Sequence, residues 1–242
     1  MCDVSMLKHI LGQPEIVEGV GEIHPVQLKN YDLFIECSNC LYYTIRHFEE
    51  EYQKYPLLEL LVVGIRSFDV ISNLTQLFSI VTKRNCTYSE PNLQFILEDG
   101  KIIDSTNYEI VREIVMRQNL MFEQKIYSDP RVQAAMIKAF EAKNKSNIRI
   151  EIEDIVTTVS VFSGKHYWEL SEYTIYQLRA DFNRISKLKK YDTDTLFKTV
   201  STEKFNIEYF AEHVDMFKSP YDLDNFTKSK DQVNKLDSAL GK

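Results

Sequence analysis

The segment SEYTIYQLRADFNRISKL, residues 171–188, carries the most regular helical pattern in the chain. Its apolar side chains recur at spacings of three and four, which places them on one face of an α-helix. Arg179, Asp181 and Arg184 lie away from that face. The face consists of Ile175, Leu178, Phe182, Ile185 and Leu188. The segment therefore predicts a long amphipathic helix that begins near Ser171.

Further helices are predicted outward from this segment because the same spacing recurs. Residues 57–81 favour one helix or two that separate near Gly64, and Ser105 or Thr106 can cap a helix that reaches about Lys125. Gly164 is a natural stop for a helix that starts near Asp154. The other two predicted helices cover residues 31–52 and 131–143.

Three segments favour extended structure. Asp99 and Gly100 separate two apolar runs within residues 95–103, and this pair suits the tight turn of a β-hairpin. Residues 21–28 and 148–152 alternate apolar and polar side chains, although Pro25 restricts the first to an edge strand or a non-strand. The expected fold is mainly α: a multi-helix globular protein with a small β-hairpin and one or two short additional strands.

Composition narrows the class of protein. The 242 residues carry a formal net charge of −7, which disfavours nucleic-acid binding because phosphate contacts need a basic face. The longest apolar run, residues 57–65, is too short to cross a membrane, and the N-terminus does not resemble a secretory signal. We expect a cytoplasmic protein with a predominantly helical region at 1–218, open to subdivision near 91–105 or 144–150. Residues 219–242 are polar and predict a flexible tail.

Possible catalytic, metal and nucleotide sites each have a simpler structural interpretation. Cys37 and Cys40 have the spacing of half a zinc site, but the second half is missing and both fit the apolar face of a helix. Residues 162–166 lack the first glycine and the final Ser or Thr of a phosphate-binding loop. Glu151, Glu153 and Asp154 suit the first turn of a helix. The sequence thus predicts a protein that is not an enzyme and needs no cofactor.

Aromatic side chains are concentrated at the start of the regular helix. The only tryptophan, Trp168, lies close in sequence to Tyr173, Tyr176 and Arg179. Aromatic residues and arginine are enriched where proteins bind one another because they bury much area at small entropic cost. These four residues are the candidate protein-binding residues, and an aromatic cluster that only supports the fold is the alternative.

Three stretches of the C-terminal half resemble tail-assembly proteins of tailed bacteriophages, a group that includes tail assembly chaperones and baseplate-assembly proteins. The pattern is a helix that ends in glycine at residues 154–164, an aromatic link at 168–171, and a Tyr-Gln-Leu helix with Phe-x-Arg at 174–185. Residues 23–32 are similar to the extended lead-in that opens such proteins.

This resemblance implies a mostly helical protein without a cofactor that binds tail proteins, such as the tape measure or baseplate components, during assembly in the host cytoplasm. No catalytic residues are implied. A structural subunit of the virion tail or baseplate is the alternative within the same class. An enzyme or a nucleotide- or metal-binding protein whose site is assembled from scattered acidic residues is the alternative from another class.

Overall fold

A computed structural model of the chain describes residues 6–65, 68–123, 130–144, 150–200 and 206–219. The chain divides into two compact units, one formed by residues 1–121 and 151–216 and the other by residues 122–150 and 217–242. Helices dominate the regular structure, and two small antiparallel sheets complete it. The predicted mainly α fold is confirmed.

The first unit opens with a short helix, α1 (Met6–Ile10), and a two-stranded antiparallel sheet. Strands β1 (Glu15–Val17) and β2 (Gly21–Ile23) pair with Val17 opposite Gly21. The extended structure predicted at residues 21–28 is confirmed for β2, and Gln27 forms an isolated antiparallel bridge with Thr174. The partner strand β1 has too few residues to show a period of two in the sequence.

The predicted single helix over residues 31–52 is wrong. Helix α2 (Tyr31–Ser38) is followed by short 3₁₀ turns at Asn39–Tyr42 and Ile45–His47. The backbone N–H of Thr44 donates to Nδ1 of His47 at 3.0 Å, which starts a new turn. Such local side-chain bonds compete with continuation of a helix. The regularly spaced apolar side chains therefore lie on a short helix and successive turns, and not on one continuous helix.

The middle of the chain follows the predicted order with one addition. Helix α3 (Leu57–Glu59) runs into a π-helical turn at Leu60–Gly64, and α4 (Phe68–Thr82) comes next, so the predicted separation near Gly64 is confirmed. The predicted hairpin is confirmed as β4 (Gln94–Leu97) and β5 (Ile102–Ile103), with Gly100 at φ 80° in its turn. Strand β3 (Cys86–Ser89), which was not predicted, pairs with β4.

Helix α5 (Tyr108–Gln118) is shorter than the sequence predicts at both ends. The N-cap residue is Asn107, so neither Ser105 nor Thr106 caps the helix, and the Thr106 N–H donates to Oδ1 of Asp104 at 2.8 Å in the turn before it. At the other end the Oδ1 atom of Asn119 accepts from the N–H of Val26 at 3.1 Å. This bond ties the end of α5 to a segment far away in sequence, which local periodicity cannot reveal.

The second unit contains α6 (Pro130–Asn144), which confirms the helix predicted at 131–143. Residues 148 and 149 of the strand predicted at 148–152 lie outside the described residues. For the described residues the strand prediction is wrong, because Ile150 and Glu151 have no regular structure and Ile152 begins a helix. The predicted tail, 219–242, lies outside the described residues except for Ser219.

Two hydrophobic cores hold the first unit together. The larger one combines the apolar faces of α2, α3, α4 and α5 with the inner side of the three-stranded sheet. The smaller one lies between α7 (Ile152–Ser163), α8 (Tyr167–Leu170) and α9 (Ile175–Val200). The N–H of Leu28 donates to the carbonyl of Tyr173 at 2.8 Å, and Lys29 forms a salt bridge with Glu172 at 2.7 Å. These bonds join the two parts of the unit.

Gly164 ends α7 in the left-handed region at φ 71° with no atom within 4 Å of an added Cβ. A Gly164→Ala substitution should therefore create no clash and add only the conformational cost of a non-glycine residue at positive φ. We expect it to lower the free energy of unfolding by about 1 kcal/mol. Gly164→Asn should lose less because asparagine tolerates this region. Urea unfolding of the three proteins checks the order, and equal stability of all three would contradict it.

Candidate protein-binding surface

The helices α7, α8 and α9 position the residues that the sequence singles out. The small core between them contains Ile155, Val159, Leu170 and Leu178, all buried. Two capping arrangements fix where the helices begin. Glu151 and Asp154 cap α7 reciprocally, and His166 and Glu169 do the same for α8. The acidic residues at 151–154 therefore serve the helix start, as the structural interpretation predicts.

Trp168 lies on the outside of this arrangement with 70% of its surface exposed. Its ring stacks on the ring of His166 with centroids 6.3 Å apart. Tyr167 beside it is also exposed, as are Val161 and Phe162 in the last turn of α7. We call Val161, Phe162, Tyr167 and Trp168 the aromatic corner. Exposed apolar side chains concentrated within eight residues are typical of a surface that binds another protein.

Tyr173 has a supporting position instead. Its ring packs against the small core, and the ammonium group of Lys165 donates a hydrogen bond to its hydroxyl. Asp181 on α9 also interacts with both groups; burial raises the pKa of its carboxyl, which Lys165 and Tyr173 partly oppose. The hydrogen bond to Tyr173 raises the pKa of Lys165, so the ammonium stays charged. These three residues fix the loop after α7 to α9.

Tyr176 and Arg179 are not brought together with Trp168. Tyr176 is only 3% exposed, because its ring stacks on His9 of α1 with centroids 5.3 Å apart. Burial raises the pKa of its phenol. Arg179 is exposed, and its charge acts on Tyr31 rather than on the aromatic corner. Of the four candidate residues, Trp168 alone has a largely exposed aromatic ring.

Val161 and Phe162 were not among the predicted binding residues. The signal that could have found Val161 is the helical period of α7, in which Ile152, Ile155 and Val159 make the buried face. Val161 lies two residues after Val159 and does not continue that spacing, so a helix leaves it outside the core. Phe162, three residues after Val159, does continue the spacing, and only the structure shows that it is about half exposed. Apolar residues that break an otherwise regular period are the sign of an exposed contact.

The two cysteines with the spacing of half a zinc site lie in the larger core. Cys37 and Cys40 are buried, and burial raises the pKa of their thiols to about 11 and about 12. Their sulfur atoms donate to the carbonyls of Phe34 and Cys37. Within the described ranges no three His, Cys, Asp or Glu side chains are grouped so that they could hold a metal ion. No helix in these ranges is both long and apolar enough to span a membrane.

Two partly or fully buried histidines predict a dependence of stability on pH. Burial lowers the pKa of His9; the charge of Arg117 lowers it further, and that of Glu15 raises it. Burial also lowers the pKa of His24; the charges of Lys83 and Arg84 act in the same direction, and that of Glu22 opposes them. The unfolded chain thus binds more protons below its ordinary histidine pKa, about 6.5. We expect the free energy of unfolding to fall as the pH drops through that value.

Chemical denaturation at about pH 7.5 and about pH 5.5 measures this effect, since the two values bracket the histidine titration. The His9→Gln/His24→Gln double variant should lose less stability between them than the native chain. Identical losses in the two proteins would show that these histidines do not carry the dependence.

Similarity to known proteins bears on the origin of the chain. Residues 142–215, which include all of α7, α8 and α9, match the family described as the YomV second domain. The chain is 24% identical over 213 residues to the SPbeta prophage-derived uncharacterized protein YomV of Bacillus subtilis (strain 168), covering 86% of this chain and 88% of that protein. No solved structure matches the chain. These similarities support the phage origin that the resemblance implied.

Proposed function

We propose that the chain is a non-enzymatic phage morphogenesis protein that binds other tail proteins, such as the tape measure or baseplate components, during assembly in the host cytoplasm. The observation that carries this proposal is the aromatic corner, which exposes Trp168 within the segment that matches the YomV second domain. The phage-derived relative and the similarity of residues 154–185 to tail-assembly proteins support the choice of partner.

The arrangement of the corner suits contact with a protein. Trp168 offers a large rigid surface at small entropic cost, and His166 stacked beneath it limits its motion. The side chain of Lys189 places its ammonium group 4.9 Å from the centre of the Phe162 ring, which adds a cationic edge. A surface of this kind resembles the centre of a binding site with a polar rim.

Substitution of the tryptophan tests the role of the corner. We expect Trp168→Ala to reduce co-purification of phage tail proteins from phage-producing cells by at least about tenfold, because truncation of a central tryptophan removes much of a binding energy. Quantitative mass spectrometry of the affinity-purified complexes measures the loss. The stability of the variant should stay close to native, since the side chain is exposed.

Ile16→Ala is the matched control, because Ile16 is similarly exposed, on strand β1. It should leave the recovery of tail proteins unchanged. Equal recovery with Trp168→Ala and with the native chain would contradict a role for the aromatic corner in binding.

A further inference from the structure

A groove of about 900 Å³ opens on the first unit, away from the residues of the aromatic corner. We call it the acidic groove. Its apolar lining includes Phe48, Tyr52, Tyr55, Val63 and Leu93, which come from three separate stretches of the chain. A volume of this size is at the upper end for pockets that enclose a drug-sized ligand. The groove is therefore large enough for several side chains of a partner.

One wall of the groove is held in place by backbone turns. The N–H of Tyr52 donates to the carbonyl of Glu49 at 2.9 Å, and that of Tyr55 donates to the carbonyl of Tyr52 at 3.0 Å. The side-chain amide of Gln53 donates to the carbonyl of Phe48 at 2.9 Å. The backbone that carries the aromatic rings is consequently held in place before a ligand arrives, which lowers the entropic cost of binding. Tyr52 and Tyr55 remain about half exposed.

Another wall is the π-helical turn at Leu60–Gly64. The N–H of Ile65 donates to the carbonyl of Leu60 at 3.2 Å, five residues back, which widens the turn. Leu61 and Val62 are buried in the core, whereas Val63 is exposed on the groove. Turns of this kind are frequent at functional sites. Here the wide turn leaves an apolar side chain available on a surface.

The charge of the groove is negative. Glu49 and Glu59 line it, and neither forms a salt bridge with any residue that the structure describes. Across residues 45–63 the sequence has four glutamates, at 49, 50, 51 and 59, against two cations, Arg46 and Lys54. Lys54 already places its ammonium group 5.2 Å from the centre of the Tyr55 ring. The tyrosine rings are thus suited to hold a cation near their faces.

We propose that the acidic groove binds an amphipathic segment of another protein that carries lysine or arginine beside aromatic or aliphatic side chains. The apolar side chains of that segment enter between Phe48 and Val63, and its cations pair with Glu49 and Glu59. Helix-in-groove recognition uses this combination of apolar anchors and flanking charge. The inference goes beyond the proposed function and does not depend on it, because it rests on different residues from the aromatic corner.

Selection from a display library tests the proposal. A library of short helical peptides with unbiased composition is selected on the full chain, and the enriched peptides are then measured by fluorescence anisotropy. We expect enrichment of lysine and arginine together with aromatic or aliphatic residues. The Glu49→Lys/Glu59→Lys variant should bind these peptides about tenfold more weakly, since like charges face each other across the contact.

The Glu18→Lys/Glu36→Lys variant is the matched control, because it makes the same change in net charge at exposed positions that do not line the groove. It should bind the selected peptides as the native chain does. Enriched peptides without cations, or equal weakening by both double variants, would overturn the proposal. Peptides that bind Glu49→Lys/Glu59→Lys as tightly as the native chain would overturn it as well.

Discussion

Phe78→Ala is expected to lower the free energy of unfolding by about 3–5 kcal/mol, because it removes a large ring from the larger core and leaves a cavity. Phe78 is fully buried on α4. Its ring makes edge contacts with Phe95 of β4 at 5.0 Å and with Tyr108 of α5 at 6.3 Å, measured between centroids. One side chain thus joins two helices and the three-stranded sheet, so the surrounding structure cannot readily close the cavity.

Urea unfolding followed by circular dichroism measures the loss. Phe68→Ala on the same helix is the matched control, because Phe68 is 82% exposed and its truncation should change stability by no more than about 0.5 kcal/mol. A similar small change in both variants would mean that α4 does not pack on the sheet as described.

Leu178→Ala is expected to destabilise the small core by about 2–5 kcal/mol. Leu178 is fully buried on α9 and belongs to the cluster with Ile155, Val159 and Leu170. Because this cluster has few buried members, the loss of one leucine should open α7 and α8 before the larger core unfolds. Amide hydrogen exchange should therefore show faster exchange in α7 than in α4.

Leu188→Ala on the same helix is the control, since Leu188 is 40% exposed. It should leave exchange in α7 close to that of the native chain. Uniform acceleration over the whole chain by Leu178→Ala would contradict the division of the first unit into two cores.

Sequence periodicity predicted those helices that form because one apolar face packs on a core. Helix α9 is confirmed because its spacing continues over many turns, yet it begins at Ile175 rather than at Ser171. The reason is a reciprocal pair: the N–H of Thr174 donates to Oε1 of Gln177 at 2.8 Å, and the N–H of Gln177 donates to Oγ1 of Thr174 at 3.2 Å. This Thr-x-x-Gln signature is readable in the sequence and marks the start more closely than periodicity does.

The features that the sequence did not predict depend on contacts between distant residues. Tyr176 is buried because His9 of α1 lies against it, which no local pattern around residue 176 indicates. The acidic groove likewise combines residues near 50, near 62 and at 93. Turns that form one wall of this groove are present where the sequence predicted a helix through Tyr52. Burial of Cys37 and Cys40, in contrast, agrees with their place in the apolar spacing of residues 31–52, although Cys40 lies in the 3₁₀ turn after α2.

The role proposed for the chain is to bind other tail proteins during assembly. Affinity purification from phage-producing cells, combined with peptide mass spectrometry of purified particles, tests it most directly. We expect recovery of a tail protein with the chain, and absence of the chain from the particles. Stoichiometric presence in particles would make it a structural subunit of the virion, and recovery of no phage protein at all would contradict the proposed role.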